Sequence, residues 1–409
     1  MSALPMAPPP SAAPPSPATS PARAVARVGF LGVGEFISYQ HLPNVSLSAV
    51  GKVHAICDLD ERRLGAHAAR YRPAYTTRDS ARLLADPEVD VVIIGTKQDL
   101  HARFIVEALD AGKWVMCEKP MAETPEETRR VIEAERRAKG RLAIGFNRRF
   151  APAYARAKRL LATQKPPVYI NYRLMFPSPQ KDVGFYAEKA RILYEGTHIF
   201  DLVCWLLDAA PERVYMTGDL TRNNVCVLDF PNGSRVSFIC GSMGSYCLWK
   251  ESMEIFTPYA AITVSEFVDM RVRGFPGEFD AFYAPHLGQY AEEVRRHGLD
   301  FYEVRKCQEM EAEVRALKMP WEQAVRPGRD FGPLPAPMNG PSLLAPDKGW
   351  KPSVEHFLRC FLEGTPPRNA DARAGALSTD VALCALDSLA KGIPLPFAAT
   401  ALPPAVEKR

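Results

Sequence analysis

Two short segments of this 409-residue chain hold side chains able to do chemistry together. In Trp114-Val115-Met116-Cys117-Glu118-Lys119-Pro120 a lysine follows directly on an apolar run that reads as a buried parallel strand. In open α/β sheets the carboxyl ends of the strands form the edge where ligands bind. Pro120 stiffens the backbone at that lysine and opens the option of a cis bond. In Tyr194-Glu195-Gly196-Thr197-His198 a histidine enters the first turn of a helix whose apolar residues recur from Ile199 onward. Glu195, three residues earlier, shares its face if both are helical. An imidazole can take a hydroxyl proton near neutral pH, and an ammonium can stabilise an oxygen that gains negative charge. Hydride removal from a secondary alcohol needs both. Each residue also has a plain reading, Lys119 as a surface lysine and His198 as a helix-start histidine bonded to backbone.

The elements that would position them begin at Val28-Gly29-Phe30-Leu31-Gly32-Val33-Gly34-Glu35-Phe36, an apolar run ending in two glycines one residue apart. The run predicts a buried strand and the glycines a tight turn that lets backbone approach a phosphate. A helix over about Phe36 to Val50 would then point its N-terminus at that anion. A dinucleotide fingerprint calls for a third small residue three positions after the second glycine. Ile37 stands there, so the match is incomplete. The next apolar run, Val53–Cys57, ends in Asp58, where a dinucleotide fold places an acid on the adenosine ribose. An acid there repels a 2′-phosphate and favours NAD, although the neighbouring Arg62 and Arg63 leave NADP open. Asp58 could equally cap a helix over Glu61–Tyr71. Further strand runs at Val89–Ile94, Trp114–Cys117 and Leu142–Phe146 alternate with helical patterns at Asp99–Ala111 and Pro125–Ala138. That alternation predicts a doubly wound parallel sheet.

Composition excludes several classes. A net charge of +4 with scattered basic residues carries no nucleic-acid footprint, and no apolar stretch approaches the ~20 residues of a membrane span. The nine cysteines are dispersed without a C-x-x-C pair, and most, including Cys57, Cys117, Cys204, Cys240 and Cys384, fall inside apolar runs. This is the pattern of reduced cysteines in a cytoplasmic protein, with no metal site indicated. Residues 1–24 form a Pro-rich tail with no core and no secretory signal.

Gly32-Val33-Gly34, the cadence of His101–Pro120 with its Glu118-Lys119-Pro120, and Gly145-Phe146-Asn147-Arg148-Arg149-Phe150 together resemble the glucose–fructose oxidoreductase / inositol dehydrogenase / rhizopine catabolism (Gfo/Idh/MocA) family. The resemblance covers about residues 26–275 and resumes near Asp347. It implies a nicotinamide-dependent oxidoreductase: a Rossmann domain over 25–147, then a C-terminal α+β domain over 148–409 with a large, mostly antiparallel open sheet. The polyhydroxylated substrate, a sugar, sugar derivative or cyclitol, comes from the resemblance alone, as does a homo-oligomer, dimer or tetramer, built through that sheet. Lys119 matches the family's active-site lysine. The cofactor-binding set is then Gly32, Gly34, Glu35, Phe36, Asp58, Thr96, His101, Glu118 and Lys119. Family members usually carry an Asp four residues before the catalytic histidine. Tyr194 stands there instead, so Glu195 is the candidate carboxylate, with the Tyr194 phenol as an alternative proton donor. A non-catalytic nucleotide- or sugar-binding regulator on the same fold is the competing reading.

Beyond His198 the pattern turns to short β-rich segments, at Val214–Thr217, Val225–Phe230, Arg235–Cys240, Ser252–Phe256 and Ala261–Val264, with turns such as Pro231-Asn232-Gly233 between them. Arg173, on a strand over Tyr169–Phe176, and Arg191 read as solvated or interface arginines, with a substrate anion as the other option. Residues 275–346 read as an insertion, helical over Phe279–Leu317 and Pro/Gly-rich over Pro327–Pro346. A last helical segment runs from Asp347 through Phe361.

Overall fold

Short apolar runs alternating with amphipathic helices fold the first part of the chain into a parallel sheet, seen in a computed structural model that describes residues 24–176, 191–244, 250–283 and 346–399. Its strands are β1 (Ala26–Leu31), β2 (Gly51–Cys57), β3 (Tyr75–Thr77), β4 (Val91–Ile94), β5 (Trp114–Cys117) and β6 (Leu142–Ile144). They lie in the order β3-β2-β1-β4-β5-β6. The chain order reverses beside β1, so the carboxyl ends of β1 and β4 part and leave a crevice there. Every residue of β4 is buried, as a strand covered by helices on both faces must be.

Several helix bounds agree with the sequence pattern, and Thr124 and Glu127 complete a capping box at the start of Pro125–Ala138. The first helix differs from expectation. Instead of running to Val50, it makes a π-helical turn over Ile37–His41 and an α-helix over Leu42–Ser46. Asp58 does not cap Glu61–Tyr71; Asp60 does, accepting from the amides of Arg62 and Arg63. Strand β3 and the helix Pro152–Leu161 were not expected from the sequence pattern.

The second sheet contains β7 (Tyr169–Met175), β8 (Arg213–Gly218), β9 (Asn223–Asp229), β10 (Arg235–Gly241), β11 (Glu251–Phe256), β12 (Ala261–Ser265), β13 (Asp269–Arg273), β14 (Ala281–Phe282) and β15 (Leu395–Pro396). Its order is β14-β13-β12-β11-β7-β10-β9-β8-β15, with β7 and β10 parallel and the other pairings antiparallel. Burial alternates along β7 and β13, so one face is apolar and the other open. The apolar face, with Ile170, Tyr172, Phe238 and Met253, packs under the helices Thr197–Leu207 and Ala372–Lys391.

The C-terminal helices cross the domain boundary drawn from sequence. Val354, Phe357 and Leu358 of the helix Trp350–Glu363 join Ala26, Val28 and Ile93 in the core of the first sheet. Ala372 and Ala376 pack with Ile144 and Met121. The stretch expected to be helical from Phe279 begins instead with edge strand β14, and its remainder lies outside the described residues, as do the Pro-rich tail over 1–23 and the Pro/Gly-rich run to 345.

Candidate active site

Where the carboxyl ends of β1, β4 and β5 meet the second domain, a cavity of about 550 Å³ opens. Its floor is the glycine turn. Gly32 has φ +79°, a left-handed conformation that glycine adopts without penalty, and a Cβ there would meet the Gly95 carbonyl and the Thr96 amide at 2.8 Å. Nothing lies within 4 Å of where a Cβ of Gly34 would sit, so the space above that residue is open. Ile37, the departure from the fingerprint, is buried against Gly95, whose missing side chain makes its room: a Cβ on Gly95 would lie 2.1 Å from Ile37 Cγ1. The small residue required for close approach has moved from the helix to the strand end it crosses. Asp58 accepts the Val33 amide at 2.7 Å and the Asp60 amide at 2.9 Å, which aims its carboxylate along the turn. An open glycine turn, a carboxylate one strand over and a continuous cavity fit a nicotinamide dinucleotide.

Of the expected cofactor residues, Gly34, Glu35, Phe36, Thr96, His101, Glu118 and Lys119 line the cavity, whereas Gly32 and Asp58 support it from the turn and from β2. His101 is almost fully buried, with Nδ1 2.8 Å from the Pro120 carbonyl oxygen and Nε2 3.2 Å from that of Thr96. It ties the two loops together, and burial lowers its pKa. Glu118 Oε1 bonds His41 Nε2 at 2.7 Å. Gly145 leaves the carboxylate its space, since a Cβ there would lie 2.8 Å from the same oxygen.

Lys119, at a cis Lys119–Pro120 bond, reaches across the domain boundary and donates its Nζ to the Tyr194 carbonyl at 2.8 Å. That carbonyl lies in a π-helical turn over Ile192–Gly196, which passes directly into the helix Thr197–Leu207 and so aims Tyr194, Glu195 and His198 at the cavity. Burial first, then Arg148, Lys119, Lys250 and Lys348, push the His198 pKa well below its ordinary value, so the ring is neutral. Its Nδ1 is buried without a hydrogen-bond partner among the described residues, and Phe146 packs edge-on against the ring.

Two sequence-based roles need correction. Glu195 makes no hydrogen bond to His198; its charge acts on Lys119 and Lys250 instead, opposing the burial that lowers the Lys119 pKa. The Tyr194 phenol donates to Glu123, and burial followed by that bond drives its pKa far above the ordinary tyrosine value. A phenol so held is a poor acid. Arg191 gives its Nε to the Thr221 carbonyl at 2.7 Å, and neither it nor Arg173 is in the cavity wall.

Other wall residues come from far apart in sequence and, Arg148 aside, no local pattern marks them as belonging to the site. Arg148 sends Nε and Nη2 to Glu251 Oε2 at 2.9 and 2.7 Å, and Tyr172 donates to the same oxygen. Lys348 donates to Glu251 Oε1 at 3.0 Å. Burial works against the Glu251 charge, but Arg148, Lys348 and Lys250 hold the carboxyl well below its usual range. Lys348 is seated by Asn147, which donates Nδ2 to its carbonyl at 2.6 Å, and by Gly349, where a Cβ would strike the Asn147 carbonyl at 2.3 Å. Trp350 then lies 5.7 Å from Phe36 at the mouth. The Asn147-Arg148-Arg149-Phe150 motif was the available signal; its partners were invisible.

Residues 26–146 match a family model described as an oxidoreductase family with an NAD-binding Rossmann fold. The chain is 35% identical over 186 residues to inositol 2-dehydrogenase 2 of Saccharopolyspora erythraea, a match covering 44% of this chain and 53% of that one. It is 27% identical over 288 residues to an uncharacterized oxidoreductase, YrbE, of Bacillus subtilis, covering 66% and 84%. Against the inositol dehydrogenases it matches, the chain spans about half their length. In fold it is similar to myo-inositol 2-dehydrogenase of Lactobacillus plantarum, with a TM-score of 0.68 at 16% identity, covering 91% of this chain and 100% of that one. Over residues 26–146 the chain is similar to the Gfo/Idh/MocA oxidoreductase family.

Proposed function

We propose that this protein is an NAD-dependent dehydrogenase acting on a secondary alcohol of a sugar, sugar derivative or cyclitol. The observation that supports it most is the convergence of Lys119 and a neutral, buried His198 in the wall of one cavity that opens onto the glycine turn. A pure binding module needs neither. A bound nicotinamide supplies the hydride acceptor. The chain's own residues do the rest. His198 takes the hydroxyl proton, since the ring is unprotonated at neutral pH and so has a free nitrogen to accept it. Lys119, steered by the Tyr194 carbonyl, faces the substrate oxygen and stabilises its growing negative charge. Glu195 keeps Lys119 charged against its burial. Asp58 supports NAD over NADP, because it would accept ribose hydroxyls and repel a 2′-phosphate.

The open face of the second sheet, where Tyr169, Val225 and Phe256 are exposed, supports a homo-oligomer formed through that face, to be measured by light scattering. The described cysteines are all free, in keeping with a cytoplasmic location.

The test is an assay of nicotinamide reduction by the full chain across a sugar and cyclitol panel. Lys119→Ala and His198→Ala should each lower turnover by about 10²- to 10⁴-fold while leaving the dissociation constant for NAD nearly unchanged. Full activity in both variants refutes the mechanism. Nucleotide binding without turnover of any substrate makes the regulator the better reading.

A further inference from the structure

A second ammonium enters the cavity from the sheet domain. Lys250 lies one residue before β11, and its carbonyl accepts the Met175 amide at 2.9 Å, which anchors it where β7 and β11 meet. Its Nζ stands 5.6 Å from the centroid of the Phe176 ring, and the side chain forms part of the cavity wall. The other wall cations each have a hydrogen-bond partner in the protein. Arg148 and Lys348 pair with Glu251, and Lys119 donates to the Tyr194 carbonyl. For Lys250, among the described residues, no carboxylate lies within 4.0 Å and no acceptor receives a hydrogen bond from its three donors.

The charges facing it explain why it stays an ammonium and why it lacks a partner. Glu195, Glu251 and Glu266 attract it from a distance and Arg148 repels it. Glu251 already answers two cations, Glu266 accepts the Glu251 amide, and Glu195 faces Lys119 as well. Glu118 is engaged by His41. Lys250 is half-buried, and its three donors meet no acceptor among the described residues, which leaves them open to a ligand. An anion gives them short, charge-assisted bonds about twice as strong as neutral ones.

We propose that the substrate carries an anionic group, a carboxylate or a phosphate, which Lys250 binds while Lys119 and His198 act on the hydroxyl. The protein is then a dehydrogenase of a sugar acid or of a phosphorylated polyol, an inference that rests on the oxidoreductase reading above.

The test uses matched trios: a neutral sugar or cyclitol, its uronate and its phosphate ester, each assayed for kcat and KM with the full chain and NAD. One acid member should be preferred over the neutral one by about tenfold or more, and which member it is identifies the anion. Lys250→Gln should raise KM for that acid by about 10- to 100-fold, the worth of one charge-assisted hydrogen bond, with a much smaller change in kcat. Lys250→Arg should recover the preference. A neutral member turned over as well as both acids, or an acid-to-neutral ratio that Lys250→Gln leaves unchanged, overturns the proposal and spares the oxidoreductase reading. Calorimetric binding of the same trio to the NAD-loaded protein separates the two: acid binding weakened in Lys250→Gln supports the anion site even without turnover, and equal binding of all three overturns it.

Discussion

Replacing Gly95 with alanine tests whether the incomplete fingerprint is compensated in space. The new methyl would lie 2.1 Å from Ile37 Cγ1 and 2.3 Å from Cδ1, against the 3.5–4.0 Å at which carbon atoms pack. Ile37 cannot swing aside, because a β-branched side chain in a helix has one strongly preferred χ1 and its site is buried. The helical turn Ile37–His41 must therefore lift off the end of β4. Overpacking of this kind costs about 1–3 kcal/mol, and the overlap of more than an ångström puts Gly95→Ala at the upper end. With an unfolding entropy of about 2.1 cal/mol/K per residue, a 409-residue chain shifts by about 1 °C per kcal/mol, so the melting temperature should fall by roughly 3–4 °C. The same displacement withdraws the Gly34–Glu35 backbone from the cofactor, so NAD should bind about tenfold or more weakly, the loss of one charge-assisted hydrogen bond. Ile37→Ala alone should destabilise by about 2–5 kcal/mol through the cavity it leaves. The double variant places a methyl into that cavity and removes the collision, so it should be more stable than the sum of the singles predicts by about 1–3 kcal/mol. Thermal denaturation and a fluorescence titration of NADH measure both quantities. Additivity within about 0.5 kcal/mol, or unchanged NAD affinity in Gly95→Ala, would show that the two residues do not share this space.

Three further outcomes are expected. Asp58→Ser should narrow the preference for NAD(H) over NADP(H), and equal affinities in the unmodified protein would show that Arg63, 4.0 Å from Asp58, dominates instead. Tyr194→Phe keeps the carbonyl that holds Lys119 and should cost less than tenfold in turnover; a loss matching His198→Ala would return proton transfer to the phenol. Glu135 accepts the Ala372 amide at 3.1 Å with one oxygen, while the other is buried without a partner, and burial followed by Asp371 pushes its pKa from 4.5 up to about 7. Between those values the folded state holds the extra proton, so stability falls as pH rises. Glu135→Gln keeps the acceptor, and should therefore stabilise by up to about 3 kcal/mol at pH 8 and by nothing near pH 4.5. Denaturant titrations at the two pH values check it, and an equal increment at both would contradict the assignment.

The first sheet was readable wherever a segment's own pattern is strong. Trp114–Cys117 and Pro125–Ala138 have their bounds set by a bare apolar run and by a capping box. Strand β3 was not readable, because three residues with one fully buried have no measurable period. The helix Ala372–Lys391 escaped for a different reason: it packs on both domains, so its apolar surface wraps around it and leaves no single stripe.

By itself the sequence determined the chemistry on offer: a lysine at a strand end, a histidine in a helix's first turn and two glycines before a helix are local facts, each carried by a few adjacent residues. Tertiary structure decided what those groups do. It paired the Tyr194 phenol with Glu123 and gave its carbonyl to Lys119, set the Glu195 charge to act on Lys119 and Lys250, and moved the space-making residue from position 37 to Gly95. It also gathered Arg148, Lys250, Glu251 and Lys348 around one imidazole. Those contacts span up to about two hundred residues of chain. Charge and hydrogen-bond energies depend on separation in space, which a linear pattern does not record.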